Sequence, residues 1–87
     1  MSAIQMIVEK LKKELQTEDV QLNDFSQMHA GHAGLNELAH NLHLQGTIKS
    51  EKFKGLNRLA RERLVYSILK DEMASELIHA LTLKLEE

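Results

Sequence analysis

Apolar side chains recur at Ile4, Ile7, Val8, Leu11 and Leu15, while Glu9, Lys10, Lys12 and Lys13 fall mostly on the other side. This i, i+3, i+4 spacing predicts an amphipathic helix over residues 3–15, with Ser2 placed to cap its N-terminus. After Thr17-Glu18-Asp19 the period shortens to two. Val20 and Leu22 alternate with Gln21 and Asn23, as in a strand with one buried face, and Phe25 could extend it. Residues 26–41, SQMHAGHAGLNELAHN, carry neither period and contain Gly31 and Gly34, which predicts a long loop. Loops of this length inside a small domain are uncommon and often functional. Alternation resumes with Leu42, Leu44, Gly46 and Ile48 against His43, Gln45, Thr47 and Lys49, a second strand antiparallel to the first.

Gly55 opens a helical run to about residue 73, and this run bears two apolar stripes. Leu56, Leu59, Ala60 and Leu64 cluster on one side, and Val65, Ile68, Leu69 and Met73 cluster roughly opposite. One straight helix cannot bury both against a single sheet face, so a break is expected near residues 60–64. Ile78, Ala80 and Thr82 then alternate with His79, Leu81, Leu83 and Leu85, a third strand in which His79 shares a face with Leu81 and Leu83. The expected order is αββααβ, an α+β domain with a three-stranded sheet packed on helices, spanning residues 1–87 as one unit.

Composition narrows the chemistry. Eighty-seven residues make one small domain, and with 43% hydrophobic but only 3% aromatic residues its core must be mostly aliphatic. A formal net charge of -2 gives no global sign of nucleic-acid binding. The chain has no cysteine, which excludes disulfides, Cys-based zinc sites and thiol catalysis by this chain alone. The N-terminus lacks the basic and apolar regions of a secretory signal, and no apolar run reaches ~18 residues, so a cytoplasmic protein without a membrane segment is expected. Glu86-Glu87 ends the chain directly after strand-like sequence, and a short further tail is expected there.

Two groups of residues could carry chemistry. His29, His32, His40 and His43 form two H-x-x-H pairs, a spacing that brings imidazoles together in a turn or helix. No thiolate or well-placed carboxylate completes a site, and a solvated loop histidine is the plainer role for at least two of them. His79 stands alone in its strand, and a lone histidine on an apolar face is more often a core residue with a satisfied hydrogen bond than a metal ligand. The second group is cationic: Lys49, Lys52, Lys54, Arg58, Arg61 and Arg63 against only Glu51 and Glu62, with Lys54, Arg58 and Arg61 able to share one helical face. Phosphates need such a patch, and so does an acidic protein partner, while many exposed helices carry charge with no function. Asp71-Glu72 and Glu18-Asp19 read as solvated helix-end charges. No cysteine nucleophile, phosphate-binding Gly-rich loop or Ser/His/Asp set has recognisable context, so no enzymatic activity is expected.

The helix MIVEKLKKEL, the HAGHAG loop, His43 before a strand ending in KSEKFKGL, and then RLARERLVYSIL and IHALTLKL together resemble the BolA-like family over nearly the whole chain. The combination of S-x-x-F-x-G-L, R-x-R-x-V-Y and I-H-A-L at these spacings is far more specific than any one of them. The resemblance implies a fold similar to a type II KH domain. It also implies work in iron–sulfur handling beside a CGFS-type monothiol glutaredoxin, with a second role in DNA binding and stress-response transcription. Gly31-x-x-Gly34 spells the phosphate-clamping G-x-x-G of true KH domains, but there it joins two helices and here it lies between two predicted strands. Three residues depart from the family pattern. Glu62 stands where histidine is usual between two arginines, Leu42 replaces Thr or Ser before His43, and Gly46 replaces a bulky strand residue, which should weaken that strand or admit a bulge.

For the site, the resemblance reverses the plain reading of His79. It matches the C-terminal histidine that in relatives ligates a [2Fe-2S] cluster shared with glutaredoxin and glutathione. The second ligand comes from the loop between the first two strands, where His32 in G-H-A-G and His40, counted back from Ser50, are the two candidates. His43 projects opposite Leu42 and Leu44, with structural and ligand roles both open. The resemblance thus implies a monomeric adaptor with no cofactor tightly bound to the isolated chain, and a cluster held jointly with a monothiol glutaredoxin.

Overall fold

The computed structural model describes residues 2–24, 42–75 and 77–87. The predicted loop and the possible extension at Phe25 lie outside these residues. Helix α1 spans Ala3–Leu15, strand β1 Val20–Asp24 and strand β2 Leu42–Lys49; helices α2 and α3 span Arg58–Ile68 and Lys70–Ala74, and strand β3 spans Ile78–Glu86. The αββααβ order of the α+β reading is present.

Helix α1 starts where its sequence dictates. Ser2 Oγ accepts the Gln5 N–H at 3.2 Å while the Gln5 side chain accepts the Ser2 N–H at 3.0 Å, a reciprocal capping box. The helix ends on Gln16, whose φ of 51° and ψ of 50° place it in the left-handed region with its N–H bonded to the Lys12 carbonyl. Ile7, Leu11 and Leu15 are buried, and Ile4 and Val8 pack beside them, so the predicted stripe is the core-facing one.

The sheet has the order β1-β2-β3, with β1 antiparallel and β3 parallel to the central β2. Its inner face contributes Val20, Leu44, Ile48 and Ile78 to the core that α1 and α2 cover, together with Phe53, Val65 and Leu69. The outer face carries Gln21, Asn23, Gln45 and Lys49 and is exposed. Ser50 closes the far end of β2. Its buried Oγ donates to the Leu15 carbonyl at 2.8 Å and accepts the Lys52 N–H at 3.1 Å, satisfying a helix-end carbonyl and capping the 3-10 turn Glu51–Phe53 that drops Phe53 into the core.

No bulge occurs at Gly46. The β1–β2 pairing runs unbroken from Val20↔Ile48 to Asp24↔Leu44, and no shift occurs at Gly46 on either side. A Cβ there would lie 1.8 Å from the Gln21 carbonyl oxygen and 2.9 Å from Leu22 Cδ2. Glycine is therefore what lets the two backbones approach.

The helical run also differs from expectation. Gly55, with φ +81°, belongs to the turn after Phe53, and α2 begins only at Arg58, with Asn57 Oδ1 accepting the Ala60 N–H at 2.8 Å. The break falls at Leu69 rather than at 60–64. Leu69, with φ -98° and ψ 20°, belongs to neither helix; its N–H bonds the Val65 carbonyl and its carbonyl accepts the Met73 N–H, so it ends α2 and leads into α3. The fully buried residues, Val65 and Leu69, come from one stripe, with Ile68 and Met73 beside them, and of the other stripe Leu64 also packs on the core. Leu59 from the other stripe stays 54% exposed, which removes the need for an early break. Glu72 is no solvated end charge: it accepts Lys10 Nζ at 3.0 Å and ties α3 to α1.

Candidate metal-binding site

His79 lies at the start of β3, where the parallel pairing slips. Leu42 pairs with Ile78 and His43 with Ala80, so β3 has one residue more than β2 over this step. This is a β-bulge. Its consequence is a change of face. Ile78 is buried, His79 and Ala80 are both exposed, and Leu81 turns inward again beside Leu83 and Leu85. The expectation that His79 shares a face with Leu81 and Leu83 is thus corrected, because strict alternation does not survive the extra residue.

The bulge carries the His79 ring to that of His43. Their centroids are 5.1 Å apart with an interplanar angle of 32°. His43 is the outward residue at the beginning of β2, half-buried, and its N–H donates to Asp24 Oδ1 at 3.3 Å across the end of β1. The starts of the two parallel strands and the end of β1 thus meet at one end of the sheet. Asp24 and Leu42, which flank residues 25–41, lie at this same end. His29, His32 and His40 fall within residues 25–41, outside the described residues. The structure therefore joins His79 to His43, a pairing that sequence reading did not make. The parallel register of β2 with β3 brings those positions side by side, and no sequence period encodes that register.

The cationic segment does not form one face. Lys54 sits in the turn before α2, and Lys49, Lys52, Lys54, Arg58 and Arg63 are exposed. Arg58, with its side chain 93% exposed, lies 3.4 Å from Glu62 one turn on. Arg61 is committed internally: its Nε donates to the carbonyls of Leu56 at 2.9 Å and Phe53 at 3.2 Å, and Nη1 donates to that of Leu85 at 3.0 Å. A groove runs between α2 and the outer edge of β3, lined by Arg58, Glu62, Val65, Tyr66, Leu81 and Leu83 among others, and Tyr66 is 43% exposed beside it. Among the described residues no helix is long and apolar enough to cross a membrane.

The sequence profile of the BolA-like protein family matches residues 11–87. The chain is 41% identical over 76 residues to the chloroplastic protein BOLA1 of Arabidopsis thaliana, a match covering 86% of this chain and 47% of that protein. It is 40% identical over 81 residues to the DNA-binding transcriptional regulator BolA of Vibrio cholerae, covering 92% of this chain and 71% of that one. The solved structure of BolA1 from Arabidopsis thaliana superposes with a TM-score of 0.83 at 34% identity, over 99% of this chain and 92% of that one. The chain belongs to the BolA-like family. It spans about half the length of the plant BOLA1 it matches.

Proposed function

We propose that this protein is a non-enzymatic adaptor that docks on a CGFS-type monothiol glutaredoxin and shares a [2Fe-2S] cluster with it. The observation that carries this reading is the exposed imidazole of His79 on the β3 bulge, at the end of the sheet where residues 25–41 leave and return. The donor chemistry fits. Imidazole is a ligand for iron, and a cluster with histidine in place of cysteine has a raised potential. This chain has no thiolate to offer, so the cysteine of the glutaredoxin and the thiolate of glutathione complete the coordination. His79 is the first ligand of this chain, and His32 or His40 is the second. The cluster is cargo held between two proteins, and this chain supplies nitrogen ligands and a docking face, the groove between α2 and β3 beside exposed Tyr66.

The test is a sizing column run with absorbance detection in the visible. This protein and a cluster-loaded monothiol glutaredoxin should elute together as a coloured species, and the His79→Ala variant should not carry the colour. Separate elution of the two proteins would remove the reading.

A second reading, a DNA-binding stress-response regulator, has support in the Vibrio cholerae relative and in the exposed Lys49, Lys52, Lys54, Arg58 and Arg63. Arg61 is spent on backbone carbonyls and Glu62 offsets Arg58, which weakens the patch. The two readings separate by mutation. Reversing the charge at Arg58 and Arg63 should abolish steeply salt-dependent DNA binding if it exists, whereas His79→Ala should leave it unchanged.

A further inference from the structure

We infer that the open edge of β3 pairs with the same edge of a second copy of this chain, antiparallel about a two-fold axis. The result is a reversible homodimer with one continuous sheet, three strands from each copy. The inference concerns the isolated chain and does not rest on the glutaredoxin reading. It seats the second copy on the face between α2 and β3, so either partner excludes the other.

The first argument is the direction of the backbone groups. β3 lies at one edge of the sheet, and the Ser50 N–H donates to the Glu86 carbonyl at 2.9 Å, in register with the Lys49↔Glu86 pair. In a parallel ladder alternate residues turn both backbone groups toward the neighbouring strand. Thr82, Lys84 and Glu86 therefore bond β2, while Leu81, Leu83 and Leu85 aim their N–H and C=O groups away from it. The Leu85 carbonyl accepts Arg61 Nη1 from that free side, as this parity requires. A row of unpaired groups on a strand edge is a template for another extended chain.

The second argument is charge, and it selects a second copy as the occupant. An antiparallel pair centred on Leu85 opposite Leu85 of the second copy puts Lys84 opposite Glu86 of the second copy, twice by symmetry. Lys84 Nζ and Glu86 Oε2 already lie 3.8 Å apart within one chain, on side chains that are 74% and 39% exposed. The four charges then alternate in sign around the axis. A lysine on an edge strand ordinarily discourages pairing. Here the glutamate two residues on supplies its counter-charge, and no other symmetric register sets the two opposite each other.

The third argument is the surface beside that axis. The first turn of α2 lies along Leu83, Lys84 and Leu85 across a shallow groove, where Arg58 is offset by Glu62 at 3.4 Å. Leu59 in the same turn is 54% exposed. A two-fold axis at Leu85 brings the starts of both α2 helices together and gives Leu59 an apolar neighbour in its counterpart. The strands pair over residues 83–87 of each copy, less than a permanent interface needs. The dimer is therefore weak and depends on concentration.

The experiment is sedimentation equilibrium of the isolated protein at low salt, from about 10 µM to about 1 mM, the range in which a contact of this size dissociates. The weight-average mass should rise from that of the monomer toward twice that value. Lys84→Glu and Glu86→Lys should each weaken the dimer about tenfold, and the exchange Lys84→Glu/Glu86→Lys should restore it to within about threefold. The two single changes move the net charge away from -2 in opposite directions, so bulk repulsion cannot weaken both. Far-ultraviolet circular dichroism shows that each variant is folded. In the wild type the amides of Leu83 and Leu85 should gain exchange protection as concentration rises, and those of Thr82 and Lys84 should gain none. A mass that stays monomeric throughout would overturn the inference. So would a dimer that is indifferent to both single changes, that fails to recover in the exchanged variant, or that leaves the Leu83 and Leu85 amides unprotected. No glutaredoxin is present, so these results are separate from failure of the cluster reading.

Discussion

Arg61 Nη1 donates to the carbonyl oxygen of Leu85 at 3.0 Å, joining the first turns of α2 to the open edge of β3. The same guanidinium holds the carbonyls of Leu56 and Phe53, and its carbon lies 6.0 Å from the centre of the Phe53 ring. One side chain thus fixes the turn before α2, the helix and the strand. Arg61→Ala should cost about 2–3 kcal/mol, since it strands charge-assisted acceptors, and Arg61→Lys should recover only part because a single ammonium cannot replace the fork. Urea denaturation followed by circular dichroism measures both.

Gly46 gives a sharper case. Any Cβ there meets the Gln21 carbonyl oxygen, a backbone atom that cannot rotate away. Gly46→Ala should destabilise by at least about 1–3 kcal/mol, the cost of forced backbone shifts, despite the usual gain from replacing glycine in a strand. A thermal midpoint equal to or above that of the wild type would contradict the close approach of β1 and β2.

Ser50 carries the join between α1 and β2. Replacing it by alanine leaves the Leu15 carbonyl without the donor it now has and removes the cap on the turn at Glu51. The expected loss is about 1–2 kcal/mol. Amide exchange should speed up first around Lys52 and Phe53, before the rest of the sheet.

The Lys10–Glu72 pair links α1 to α3, with side chains 36% and 19% exposed. A double-mutant cycle with Lys10→Met and Glu72→Gln should give a coupling of about 0.5–1 kcal/mol that shrinks in high salt. A coupling that is unchanged by salt would show that the contact works through packing.

Much of this fold is legible in the sequence because its short-range signals agree. The period of α1, the Ser2 cap and the alternation of Leu42, Leu44 and Ile48 all act within a few residues, and the structure repeats them. The misreadings share one cause. The face of His79 depends on an extra residue opposite β2, the role of Gly46 depends on the carbonyl of Gln21, and the partners of Arg61 and Glu72 lie on other elements. Each is set by contacts between distant segments, and no local period encodes them. Leu59 shows the converse: its helical spacing reads as part of an apolar stripe, yet it is left exposed on α2. The candidate site divides the same way. His79 is visible through the I-H-A-L motif, but its pairing with His43 follows from the parallel register of two strands separated by two helices.

The most direct test of the central claim is titration of a cluster-loaded monothiol glutaredoxin homodimer with this protein, followed by visible circular dichroism, beside the same titration with His79→Ala. The account predicts a new cluster spectrum that saturates at one equivalent with the wild type and is absent or altered with the variant. A spectrum that never changes, or one that forms identically without His79, would contradict it.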